Sequence, residues 1–290
     1  MKFFPIVLGM GFILAGMSIT SCQKTNPYIN PVPLDTTTSM VSDNIDGSET
    51  ATDASISSEA SIANPNSPAN TATPSTSTVH FIGYLGDSVT ITPQTQNSPG
   101  MVQSNFGKGV TLNGITRSGM VVSYFWNKYY TTGFKDSIIF QNYIMQGKSV
   151  RGHILLVRLT DSSLLNIAHI NYNRSGGSTN TFDSRITRSY NFIVSSAAST
   201  IPATYVATEI GTTINMNGSS GVLDTAHIIS PLIFNSPSTC SITGGIFPVK
   251  GTINLSSSAY QNHRIVDFGT GTCDLMFTVT IGSIVETIVL

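Results

Sequence analysis

The chain has 290 residues, 10% of them charged, with 14 Lys and Arg against 15 Asp and Glu. A formal net charge of −1 excludes the concentrated basic face that nucleic-acid binding needs. The three cysteines, Cys22, Cys240 and Cys273, and the five histidines form no CxxC, HxH or HExxH pattern, so spacing offers no zinc site.

At the N-terminus, Lys2 precedes an almost wholly apolar run, Phe3 to Met17. About 15 apolar residues fit a secretory signal and fall short of the roughly 20 needed to cross a bilayer. Ile19-Thr20-Ser21-Cys22 follows, which is the pattern of a bacterial lipoprotein signal cut before a cysteine that is then acylated. Residues 1–21 are therefore expected to be removed. Cys22 is expected to carry fatty-acyl (palmitate-type) chains that anchor the protein to the outer membrane of the cell envelope. Several chains together give stable anchoring. Gln23 and Lys24 leave open whether the body faces the periplasm or the cell surface.

Residues 22–78 read as a tether. Between 25 and 78, Ser, Thr, Asn, Pro and Ala dominate, with six acids, no Lys or Arg, and Tyr28 as the single aromatic. Such a composition buries too little apolar surface to offset its ordering entropy and is expected to be disordered.

Residues 79–290 read as one all-β body of about a dozen antiparallel strands, a sandwich or a curved open sheet. Short runs rich in Val, Ile, Thr, Phe and Tyr alternate with Gly, Asn, Asp and Ser. Ile138, Phe140 and Ile144 are expected on one face, and Gln146-Gly147 as a turn. Cys273, Leu275, Phe277, Val279 and Ile281 point one way into a core, and Gly282-Ser283 turns into the last strand. Nine acids oppose twelve Lys and Arg, so this body is about +3 while the tether is −6. Arg185 and Arg188 lie on opposite faces if extended. With Cys22 acylated, Cys240 and Cys273 are expected to form a disulfide in an oxidising compartment.

The C-terminal stretch carries a resemblance. Cys240, then Pro248-Val249-Lys250-Gly251-Thr252-Ile253, then Val266-Asp267-Phe268-Gly269-Thr270-Gly271-Thr272-Cys273-Asp274, is similar to a family of uncharacterised Bacteroidota envelope lipoproteins. Thr116-Arg117-Ser118-Gly119-Met120 and Phe140-Gln141-Asn142-Tyr143 extend it over about 87–290. Lys250 and Leu275 depart from the family pattern, which has Ser and Asn there. The resemblance implies a β-rich envelope lipoprotein and carries no catalytic residues.

No motif for catalysis survives inspection. Asp267-Phe268-Gly269 lacks the rest of the kinase set, and Gly218-Ser219-Ser220-Gly221 is not G-x-S-x-G. The Phe-Gly pairs at Phe106-Gly107 and Phe268-Gly269 read as a repeated turn with positive-φ glycine. His169 lies among apolar residues and is expected in the core. The aromatic run Tyr124-Phe125-Trp126 is the most unusual local feature. Tyr124 and Trp126 share a face and, with Asn127, suit stacking on a sugar ring, although filling a core is the commoner use. The expectation is a non-enzymatic envelope lipoprotein of structural or binding role; its alternative is a surface carbohydrate-binding module. Partners are expected to be a membrane, through the anchor, and a glycan or envelope protein. No cofactor or metal is expected.

Overall fold

A computed structural model describes residues 38–64, 67, 77–112, 114–173, 177–192, 205–217, 220–235, 241–242, 245–246, 248–272 and 276–289. Among these, one helix, α1 (Ser39–Ala63), precedes sixteen strands. They are β1 (Val79–Ile82), β2 (Ser88–Thr92), β3 (Gly100–Leu112), β4 (Ile115–Trp126), β5 (Lys135–Met145), β6 (Lys148–Thr160), β7 (Ser163–Asn173) and β8 (Thr179–Phe192). Then come β9 (Tyr205–Asn217), β10 (Leu223–Asn235), β11 (Ser241–Ile242), β12 (Gly245–Ile246), β13 (Lys250–Ser257), β14 (Arg264–Thr270), β15 (Met276–Ile281) and β16 (Ile284–Val289).

Fourteen strands form one antiparallel sheet in chain order, with β10 passing to β13 and β11–β12 set aside as a two-stranded ribbon. The all-β expectation holds, in its open-sheet form: β1 and β16 are free edges rather than a closed seam. Short connections account for the meander, since antiparallel neighbours need only tight turns. Met145 pairs with Lys148 across Gln146-Gly147, and Ile281 with Ile284 across Gly282-Ser283, as the turn residues indicated.

Bulges bend the sheet. Gly119 has φ +81°, and a Cβ there would lie 2.1 Å from the Asn142 carbonyl oxygen. Asn142 itself has φ +51°, and the β5–β6 register shifts between Ile139 and Ile144. That shift corrects one expectation. Ile138 is buried and Phe140 packs on the core, but Ile144 is turned outward and exposed, because the extra residue reverses the alternation beyond it.

The segment read as a tether is corrected more deeply. Residues 39–63 form α1, enclosed by the concave face of the sheet, where it touches β2 to β10 and β13. Nothing local favours this helix. Thr38 makes no side-chain cap, the first turn has no acid and the last has no base. Ser, Thr and Asp are poor helix formers, and no apolar stripe runs along it. The sheet supplies what the helix lacks. Met40 and Val41 join a core with Leu232, Phe268 and Phe277. Ala51 and Ala54 join a second, with Phe106, Ile138, Tyr143 and Phe182. Ile62 joins a third, with Val89, Ile91, Phe125 and Phe134. One helix thus contributes to all three hydrophobic clusters. Gly47 permits the approach: a Cβ there would lie 2.3 Å from the Phe182 ring.

Cys22, Cys240 and Cys273, and with them the anchor and the disulfide expectation, lie outside the described residues, as do Leu275 and the tether positions other than 38–64, 67, 77 and 78. No helix among the described residues is long and apolar enough to cross a membrane.

Candidate functional site

Several polar side chains of α1 find partners on successive strands. Asp53 receives Arg117 of β4, at 2.5 Å from Nη2 and 2.9 Å from Nε, and the Tyr143 hydroxyl of β5 at 2.7 Å. Burial works against the Arg117 charge, but the Asp53 carboxylate outweighs it and holds the guanidinium above its usual range. Burial, and then the same carboxylate, pushes the Tyr143 hydroxyl up. Asp46 pairs with Lys148 of β6 at 2.8 Å. Ser55 accepts from Asn166 of β7, and Asn44 donates to Thr213 of β9. Glu59 accepts from Tyr129 at 2.7 Å and from Tyr190 of β8 at 3.5 Å. The Ser58 hydroxyl donates to Asp136 of β5 at 2.5 Å and sits 2.8 Å from Ser123. Full burial pushes Asp136 up to about 7; the Ser58 and Ser123 hydroxyls oppose this, and the Glu59 charge adds to it. Two ion pairs, Asp53–Arg117 and Asp46–Lys148, thus tie the acidic helix to the sheet.

One face of α1 is less covered. Ile45, Ser48, Glu49, Thr52 and Ile56 look across a cavity of about 100 Å³ toward Leu232 and Phe234 of β10, Ile253 of β13 and Phe268 of β14. Ile115 and Met145 also line it. The surface of its wall is mostly apolar, although seven of the lining residues are polar or charged. Arg188 of β8 faces its cross-strand partner Glu209 of β9, with Nε 2.6 Å from Oε1. Burial disfavours the Arg188 charge, but Glu209 overcomes this and holds it well above the usual range. Burial raises Glu49, as does the nearby Asp46 carboxylate. An apolar hollow with a neutralised ion pair and one raised carboxyl suits holding an apolar group. Neither a nucleophile–base pair nor a metal cage forms among the described lining residues.

The sugar-stacking residues lie elsewhere. Phe125 is buried in the third core cluster, while Tyr124 is half-buried and Trp126 is 39% exposed on the opposite, convex face. The alternation read from the sequence is therefore observed. Tyr124 stands between Met101 and Ser137, and Trp126 opposite Lys135. Asn127 is engaged in the turn: its Nδ2 donates to the Gly133 carbonyl at 3.0 Å and its backbone N–H to Gln94.

His169 corrects another expectation. It is exposed on the convex face and paired with Asp183 at 2.5 Å, because its strand buries the alternate set Leu164, Ala168, Ile170 and Tyr172. Arg185 points outward and Arg188 inward, on opposite faces as expected. In the repeated Phe-Gly turns, the Gly107 N–H bonds Asn105 Oδ1 and the Gly269 N–H bonds Asp267 Oδ1, each at 2.8 Å. Both phenylalanines are buried.

Sequence reasoning missed Arg117, Arg188, Glu49 and Asp53. The available signal was the charge asymmetry between the two segments. No family model, curated protein or solved structure matches the chain.

Proposed function

We propose that this chain is a non-catalytic binding protein of the cell envelope, anchored through Cys22, whose ligand places an apolar group in the hollow beside α1. The hollow carries the reading. An apolar cavity of about 150 Å³ admits benzene; the roughly 100 Å³ here is smaller and suits a branched aliphatic group or the end of an acyl chain. Glu49 at the rim and the Arg188–Glu209 pair give such a ligand polar neighbours. Isobutanol and decanoate, titrated into labelled protein, are expected to shift the amide resonances of Leu232, Phe234 and Ile253. Ala207→Phe, which fills the hollow, is expected to abolish the shifts. If neither probe moves these resonances in the wild-type chain, the hollow is not a binding site.

The anchor rests on Ile19-Thr20-Ser21-Cys22 after an apolar run. Cells fed labelled palmitate are expected to label the wild-type chain and not Cys22→Ser. Equal labelling of both would remove the anchor from the proposal.

A further inference from the structure

The convex face of the sheet carries a row of side chains in direct cross-strand register: Ile139 of β5, His153 of β6, His169 of β7, Asp183 of β8 and Ile214 of β9. Directly opposed residues on antiparallel strands have Cβ atoms about 4.5–5.5 Å apart on the same face. The two imidazoles accordingly stand together, ring centres 5.7 Å apart and tilted by 41°. Asp183 Oδ1 lies 2.5 Å from Nδ1 of His169. All of this is solvent-accessible: His153 is exposed, and His169 and Asp183 are about half exposed.

We propose that His153 and His169 form a two-imidazole surface site for a late first-row divalent cation, with Asp183 as the positioning residue. Three features support it. Imidazole suits copper, nickel and zinc. A carboxylate bonded to one ring nitrogen fixes the tautomer and offers the other nitrogen to a metal; Asp183 holds Nδ1 of His169 in this way, leaving Nε2 as the ligand atom. Metal–nitrogen bonds of about 2.0–2.1 Å at a tetrahedral angle place two ring centres roughly 5 Å apart, a small χ1 adjustment from the 5.7 Å observed. Among the described residues no three His, Cys, Asp or Glu groups stand as a ready-made metal cage. Water completes the coordination, and the metal is exchangeable rather than structural. The rigid ladder between β6 and β7 is the source of selectivity, because it sets the ligand separation before the metal arrives.

Isothermal titration of the untagged chain with Cu²⁺, Ni²⁺, Zn²⁺ and Mg²⁺ at pH 7.5 tests this. One equivalent is expected to bind, with copper tightest, nickel and zinc weaker, and magnesium showing no heat. His153→Ala and His169→Ala are each expected to abolish that equivalent. Asp183→Asn is expected to weaken it 10–100-fold. His80→Ala and His227→Ala, exposed histidines on other strands, are expected to leave it unchanged. All four histidine variants are expected to melt with the wild type, since these side chains lie on the surface. If the wild-type chain binds no copper, or if His153→Ala and His169→Ala keep the same stoichiometry and affinity, the site does not exist. An Asp183→Asn affinity equal to wild type would remove the positioning role.

Discussion

Replacing Arg117 with methionine is expected to destabilise the protein by about 3–5 kcal/mol, the cost of breaking one half of a buried ion pair. Arg117 is 1% exposed and Asp53 7%. Without the guanidinium, the Asp53 carboxylate stays enclosed with the Tyr143 hydroxyl as its remaining partner among the bonds described above. The Ile115 carbonyl, 3.1 Å from Nη1, also loses a donor. Urea unfolding of the wild type and variant measures the loss. Pairing Arg117→Met with Asp53→Leu is expected to recover most of it, because a buried ion pair replaced whole by apolar side chains is often neutral or stabilising. The coupling between the two sites, read from the double-mutant cycle, isolates their interaction. Amide exchange in α1 is expected to rise in the single variant, since the helix has no caps or apolar stripe of its own. A loss under about 1 kcal/mol, with α1 exchange unchanged, would mean that this pair does not hold the helix in the sheet.

Replacing Asp136 with asparagine is expected to stabilise the protein in alkaline solution and to flatten its pH dependence. The sign follows from the direction of the shift. Burial raises the Asp136 carboxyl to about 7 from its ordinary 3.8. Its folded state therefore holds the proton more tightly than its unfolded state. The associated stability is fully present below about pH 4 and is lost as pH rises through about 7. Asparagine keeps an oxygen for the Ser58 hydroxyl and carries no charge at any pH. The advantage of Asp136→Asn over the wild type is expected to grow by about 2–3 kcal/mol between pH 5 and pH 8. Glu49, Asp87 and Asp224 are raised by burial as well and remain in both proteins, so the difference between the two isolates Asp136. Urea unfolding at the two pH values reads it. A constant difference between the proteins would show that Asp136 ionises in the folded state as freely as in the unfolded one.

Both expectations concern contacts between α1 and the sheet, and that is where sequence reading and structure diverge most. Strand alternation is a local signal. Phe125 on the face opposite Tyr124 and Trp126, or Phe277, Val279 and Ile281 buried together, follows from a period of two that any window reveals. Ile144 breaks the pattern because a bulge depends on how two strands pair, which neither strand states alone. His169 was placed in the core because its strand is apolar on both faces, so alternation could not say which set the helix covers. For α1, the missing property is an apolar stripe. Residues 39–63 carry five acids and many Ser and Thr, a composition that in isolation remains unfolded. Buried polar groups are tolerated when each finds a partner. Here the partners come from β4 to β9, in sequence 64 to 169 residues away for Arg117 and Thr213.

The amino-acid sequence by itself determined the antiparallel strands, their main turns and the shared face of Tyr124 and Trp126 opposite Phe125, because these depend on neighbours within a few residues. It also held the charge asymmetry behind the Asp53–Arg117 and Asp46–Lys148 pairs, though not the pairing itself. Only the tertiary structure decided that the polar segment is a helix, that it joins three hydrophobic clusters, and that a hollow lined by Glu49, Arg188 and Phe234 lies beside it. It also decided that His153, His169 and Asp183 form one row. The physical reason is common to all four. Each depends on strand register, and the first three on long-range desolvation as well, which appear only once distant strands have paired and curved around the helix.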